Sequence, residues 1–195
     1  STLDGGAGND SIISNGGRVT ISGGAGNDTL GGTGTKQFLY NAGDGNDVIT
    51  NFGSNDTLNI ASGTIASAFA DGDDLIVSVT GDSVSAGRIT VQGAASSIIR
   101  VVDASGEEIR IYNHTRFNNS ASSVSLNGSD GDDSIGNSGS YGTIDAGDGN
   151  DSIGNTGYRS TLLGGSGDDS IYNNGSYTSI NAGAGKDSIY NAGSG

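Results

Sequence analysis

Seven aspartates recur at a spacing that suits cation chemistry. Asp10, Asp28 and Asp47 stand 18 and then 19 residues apart, and Asp133, Asp151, Asp169 and Asp187 stand 18 apart. Each sits sixth in a phrase of one pattern: GGAGNDSI at Gly5–Ile12, GGAGNDTL at Gly23–Leu30, AGDGNDVI at Ala42–Ile49, GSDGDDSI at Gly128–Ile135, AGDGNDSI at Ala146–Ile153, GGSGDDSI at Gly164–Ile171 and AGAGKDSI at Ala182–Ile189. In a coiled chain this spacing stacks the carboxylates on one edge. At such separations bare charges repel by roughly 1 kcal/mol even in water, and by more against a protein wall. A column of them is unstable alone and well suited to a divalent cation between coils. Asp oxygens and peptide carbonyls are hard donors, which Ca2+ prefers. The expected ligand set is the seven aspartates with the turn glycines Gly6, Gly8, Gly24, Gly26, Gly43, Gly45, Gly131, Gly147, Gly149, Gly165, Gly167, Gly183 and Gly185. Asp as a generic turn residue explains one or two of these positions, not seven in phase with Gly.

The elements that must hold these residues follow from a second, weaker phrase nine residues out of phase. It reads NSGSYGTI at Asn137–Ile144, NTGYRSTL at Asn155–Leu162 and NNGSYTSI at Asn173–Ile180. The unit is a nonapeptide, and two make one 18-residue coil. Each nonapeptide ends in a polar–apolar–polar triplet such as Ser170-Ile171-Tyr172, which turns the Ile inward. A strand of about three residues gains its hydrogen bonds by stacking about 4.8 Å above its copy in the previous coil. The reading is an all-β parallel β-solenoid. Its core is a double row, with Ile12, Leu30, Ile49, Ile135, Ile153, Ile171 and Ile189 on one side and Ile21, Ile144, Leu162 and Ile180 on the other. Burying one Ile contributes about 1.5–3 kcal/mol. Ordering each residue of a nonapeptide costs about 1–2 kcal/mol. The apolar term loses, so the turns need another source of stability.

The repeated Gly-Gly-x-Gly-x-Asp-x-apolar-x phrase resembles the nonapeptide of the repeats-in-toxin family, the haemolysin-type calcium-binding β-roll. The resemblance covers residues 1–56 and 127–195. It implies Ca2+ in the six-residue turns and a bacterial protein that is secreted or on the cell surface. The alternate nonapeptides depart from the family's pattern, with Val19, Gly142, Ser160 and Thr178 where a second carboxylate is usual. Calcium is therefore expected along one edge. The other edge carries Asn137, Asn155, Asn173 and Asn191, with Ser14 in the equivalent place, and stacked Asn amides can bond one another along the axis. Asp56 restores one acid on that edge, and Lys186 replaces the usual Asn beside Asp187.

Residues 57–126 break the period. They are rich in β-formers at Leu75–Val79, Arg88–Val91, Ile98–Val102, Ile109–Tyr112 and Val124–Leu126, with Asp103–Glu108 as a hairpin turn. Four of the eight cations lie there. The segment is expected to be a β-rich insert or spacer continuous with the solenoid. A second copy placed after Gly195 would set Asp187 18 residues before the next Asp10. Head-to-tail stacking into fibres is therefore expected as one mode of self-association.

Composition bounds the function. The chain has 195 residues, 37 Gly, no Cys and a net charge of -14, carried by 20 Asp and 2 Glu. No basic stripe argues for nucleic acid, no stretch approaches a membrane span, and thiolate metal sites are excluded. Catalysis is not expected. His114 is the sole histidine and has no evident partner, and Glu107 and Glu108 belong to the expected hairpin. A Thr row for ice binding is missing, since the relevant positions are Ala7, Ala25, Asp44, Asp130, Asp148, Ser166 and Ala184. The expected function is a calcium-stiffened structural or adhesive module. The alternative is the C-terminal secretion domain of an exported protease or lipase.

Overall fold

The computed structural model describes residues 1–81, 84–94, 98–106, 108–112 and 116–195. The protein is a β-solenoid of two facing sheets. In the first repeat block the chain alternates between them: β1 (Thr2–Ala7), β2 (Ser11–Ser14), β3 (Val19–Ala25), β4 (Thr29–Gly32), β5 (Lys36–Asn41) and β6 (Asn46–Thr50). The middle supplies β7 (Thr57–Ser62), β8 (Thr64–Asp71), β9 (Asp74–Gly81), β10 (Val84–Val91), β11 (Ile98–Val102), β12 (Glu108–Tyr112), β13 (Arg116–Asn119) and β14 (Ser125–Asn127). The second block alternates again: β15 (Ser134–Asn137), β16 (Thr143–Asp148), β17 (Ser152–Asn155), β18 (Thr161–Ser166), β19 (Ser170–Asn173), β20 (Ser179–Ala184) and β21 (Ser188–Asn191). The strands exceed the expected triplets because several run on into the Gly-Gly step of the next phrase, as Thr143–Asp148 does.

Sheet A has the order β1-β3-β5-β7-β11-β12-β13-β15-β17-β19-β21, and sheet B the order β2-β4-β6-β10-β9-β8-β14-β16-β18-β20. Coil neighbours pair in parallel at the repeat spacing, as in Ile135↔Ile153 and Ile153↔Ile171. The period-breaking segment is woven into both sheets. β8, β9 and β10 form an antiparallel meander whose outer strands lie parallel to β14 and β6. β11, β12 and β13 do the same between β7 and β15. Each meander has three strands, so it returns the chain to its original direction.

This weaving corrects two expectations. The aspartate phrase of the first block leads into sheet B, through β2, β4 and β6, whereas that of the second block leads into sheet A, through β15, β17, β19 and β21. Ile12, Leu30 and Ile49 therefore do not share a side with Ile135, Ile153 and Ile171. The meanders consume residues without crossing between sheets, so the phase slips by half a coil. For the same reason Ser14, in sheet B, is not equivalent to the second block's asparagines, which lie in sheet A.

Most buried apolar residues among those described fall in the middle, including Leu75, Val77, Ile89, Ile99, Val101, Ile109, Ile111, Phe117 and Leu126. The flanks thin out. The second block buries one large aliphatic per strand from β15 to β19: Ile135, Ile144, Ile153, Leu162 and Ile171.

Where the core is thin, asparagines brace the coil. Asn119 Nδ2 donates to Asn137 Oδ1, Asn137 to Asn155 and Asn155 to Asn173, each at 2.7 Å, and Asn173 donates to Asn191 at 2.8 Å. Each of the first four amides also donates to a carbonyl two residues on, as Asn155 does to Gly157 at 3.1 Å. Three of the oxygens that receive the ladder bond also accept the N–H two residues on: Asn155 from Gly157 at 3.1 Å, Asn173 from Gly175 at 3.0 Å and Asn191 from Gly193 at 3.1 Å. Asn119, at the head of the column, takes the same bond from Ala121 at 2.9 Å. Asn119, from the middle segment, lies outside the repeat pattern and was not anticipated. Replacing Asn155 with Ala strands a donor on Asn137 and the N–H of Gly157. At about 1–3 kcal/mol per buried orphan, Asn155→Ala is expected to lower the thermal midpoint by several degrees, measured by calorimetry. An unchanged midpoint would mean that the ladder is decorative.

Candidate metal centre

The aspartates occupy turns on both edges of the solenoid. All coil strands of sheet A run one way, so the turn from sheet A to sheet B always falls on one edge and the return turn on the other. Asp10, Asp28 and Asp47 lie at the outgoing turns, and Asp133, Asp151, Asp169 and Asp187 at the return turns. The single-edge column expected from the sequence is thus two columns on opposite edges. In the second block the Asn ladder closes the edge opposite its aspartates.

Glycine builds the turns. Gly26 has φ 146°, and a Cβ there would stand 1.9 Å from the Gly8 carbonyl oxygen. The stacked turn backbones therefore exclude any side chain. Gly6, Gly8, Gly24, Gly43, Gly45, Gly147, Gly149, Gly165, Gly167, Gly183 and Gly185 share the positive φ, and Gly131 does not. Its phrase carries Ser129 as second residue, and Ser129 N–H and Oγ bond Asp133 Oδ2 at 2.7 and 3.0 Å. The Gly45 oxygen accepts from Tyr40 Oη at 2.6 Å and from Arg88 N–H at 3.1 Å.

The carboxylates point inward. Asp28, Asp47, Asp133, Asp151 and Asp169 are almost fully buried. Beyond the first Asp of each column, one oxygen accepts the backbone N–H of the preceding Asp: Asp28 from Asp10 at 2.7 Å, Asp47 from Asp28 at 3.0 Å, Asp151 from Asp133 at 2.8 Å, Asp169 from Asp151 at 2.9 Å and Asp187 from Asp169 at 3.0 Å. Among the described residues, five of the seven aspartates have a stranded oxygen. Asp10 Oδ2, Asp28 Oδ2, Asp133 Oδ1, Asp151 Oδ2 and Asp169 Oδ2 are buried with no hydrogen-bond partner. The residue before each Asp runs a second ladder in the opposite sense, as when Asn27 N–H donates to Asn9 Oδ1 and Lys186 N–H to Asp168 Oδ1, both at 2.8 Å. Asp56 differs, because its two oxygens accept from Lys36 N–H at 2.6 Å and Gly53 N–H at 2.9 Å.

Burial makes three of these carboxyls, Asp47, Asp133 and Asp151, weaker acids. Burial first, then the charges of Asp28 and Asp44, raises Asp47 from 3.8 to about 7, against the lowering effect of its Asp28 hydrogen bond. Burial likewise raises Asp133, and it raises Asp151 to about 6. Asp47 is paired in register with Ile89, so its column runs straight into apolar surface. Either a hard cation or a proton would supply what the stranded oxygens lack. A cation here would take carboxylates from successive coils and turn carbonyls. Among the described residues no group of three or more His, Cys, Asp or Glu surrounds a common point. His114 and Glu107 lie outside the described residues.

No protein-family model matches the chain, and no curated protein or solved structure was found to resemble it.

The raised values fix a sign. In the unfolded chain these acids ionise near pH 4, whereas Asp47 and Asp151 keep their protons in the fold up to about pH 7 and 6. Between those limits the fold binds more protons than the unfolded state, so stability falls as pH rises. In chelator the thermal midpoint is expected to drop between about pH 5 and pH 7.5. A flat or rising profile would contradict the buried placement of the column.

Proposed function

We propose that the chain is a calcium-binding structural or adhesive module of a secreted or cell-surface protein of the repeats-in-toxin type. Ca2+ neutralises the two aspartate columns and stiffens the flanking coils. The supporting observation is the row of stranded carboxylate oxygens, five of them buried without a partner. The coils of the second block close their opposite edge with amides that bond one another and their own turns. Oxygen-only donors of this kind suit millimolar extracellular calcium. Without the ion, a charge of -14 holds the repeats open.

The proposal has a regional consequence. Middle strands such as β9, β11 and β12 bury the densest apolar core, and the flanks bury a sparser one. Calcium added to chelated protein should raise the far-UV β signal and slow amide exchange mainly in 1–56 and 127–195. A spectrum and exchange pattern unchanged between chelator and millimolar calcium would sink the reading. Asp151→Asn sharpens the test, since it keeps an acceptor for the Asp133 N–H and removes the buried charge. It should raise the melting point in chelator and reduce the gain on adding calcium; the opposite pair of shifts would count against the ion.

Copies of the chain are proposed to stack head to tail. Leu3 and Ile13 on the first coil, and Ile189 and Tyr190 on the last, are exposed. Because the column changes edge, Asp187 meets the next Asp10 only if the copy turns half a revolution about the axis. Sedimentation should show concentration-dependent growth that Tyr190→Ser suppresses. Monomers at every concentration, or growth untouched by that change, would exclude the contact.

A further inference from the structure

The outer face of sheet A carries a file of side chains unrelated to the aspartate columns. Cross-strand pairing aligns Thr20 with Gln37 and Gln37 with Thr57. It then aligns Arg100 with Arg110, Arg110 with Asn118, Asn118 with Gly136, Gly136 with Gly154, Gly154 with Tyr172 and Tyr172 with Tyr190. The order along the axis is hydroxyl and amide, guanidinium, bare glycine floor, aromatic ring.

Three concavities follow this file. The first, about 360 Å³, is lined by Thr20, Gln37, Thr57, Arg18 and Arg100 among others. The second, about 140 Å³, is lined by Glu108, Arg110 and Asn118. The third, about 390 Å³, has Gly136 and Gly154 as its floor and Tyr172 as a wall. Tyr172 and Tyr190 stack with centroids 5.0 Å apart and planes 8° apart, and both are more than half exposed.

Charge distinguishes this face from the rest of the molecule. Of eight cations against 22 acids, Arg18, Arg100, Arg110 and Arg116 are gathered on it. Among the described residues Glu108 is the one carboxylate lining the three concavities, and it is clamped by Arg100 at 2.6 Å and by Arg110. Burial would raise the Glu108 carboxyl, but its hydrogen bonds to the two guanidiniums outweigh this and lower it, so it stays ionised and holds both forks in place.

We propose that this face binds a linear glycan bearing spaced carboxylates, laid along the solenoid axis. Each coil advances about 4.8 Å, close to the length of one sugar ring in an extended glycan. Guanidinium forks pair with carboxylates in bidentate fashion, amides and hydroxyls meet sugar hydroxyls, and the exposed ring faces take the apolar face of a pyranose. A nucleic acid brings a phosphate at every unit against a chain of -14, and this repulsion favours the sparser polymer. The inference deepens the adhesive reading by giving its target a chemistry.

The test is isothermal titration of the whole chain in millimolar calcium with a hyaluronan hexasaccharide, which carries a carboxylate on every second sugar. A neutral β-1,4-glucan hexamer and a single-stranded oligodeoxynucleotide are run beside it, and a far-UV spectrum of each sample separates a failed surface from a failed fold. The hyaluronan is expected to bind and to weaken in high salt. Arg110→Gln and Tyr172→Ala should each weaken it at least about fivefold, while Arg88→Gln, on the opposite sheet, leaves it unchanged. The proposal is overturned by no binding to a folded chain, by equal binding of the neutral glucan, by tighter binding of the oligonucleotide, or by an equal effect of Arg88→Gln.

Discussion

A carboxylate accepts hydrogen bonds and cannot donate one, whereas a carboxamide does both. Much of this molecule turns on that difference. The asparagine column joins itself: each Nδ2 reaches the next Oδ1, and each amide also bonds its own turn. The aspartate columns occupy a comparable place in the turns and satisfy one oxygen with a backbone N–H. The second oxygen of Asp28, Asp151 and Asp169 has no donor among the described residues. Identical partners above and below can only repel it, so a column of aspartates needs something from outside that a column of asparagines does not.

The distribution of apolar side chains decides how much this matters. Between β7 and β14 two antiparallel meanders bury Val, Ile, Leu and Phe in the manner of an ordinary sandwich. On either side the coils bury less: Val19, Ile21 and Leu30, then Phe38, Tyr40, Ile49 and Phe52, before β7, and one large aliphatic per strand from β15 to β19 in the second block, where they are too few to offset the ordering of 18 residues. The middle is thus a self-sufficient block, and the flanks are conditional on their turns. The weaving also switches the aspartates from one edge to the other, so the two conditional regions are braced on opposite sides.

Much of the solenoid was legible because Gly, Asp and Ile recur at one interval, and that interval alone dictates coil length, strand position and inward residues. The edge change was not legible. Whether Ile135 shares a side with Ile49 depends on how many times the chain crosses between sheets in 57–126, and a meander spends residues without crossing. Asn119 was hidden for a related reason: it joins the ladder through β13 pairing with β15, not through any repeat. The stranding of single carboxylate oxygens was also beyond the sequence, because spacing stacks the residues but does not say which oxygen meets an N–H. The arginine-to-tyrosine file on sheet A escaped too, since Arg100 and Arg110 become neighbours only through the hairpin between β11 and β12.

The most direct measurement is anomalous diffraction from crystals grown in millimolar calcium. The account predicts ordered ions bonded to the free carboxylate oxygens of Asp28, Asp151 and Asp169 on both edges, with none along the asparagine ladder. Well-ordered aspartates with no ion beside them, at a pH where they are ionised, would contradict it.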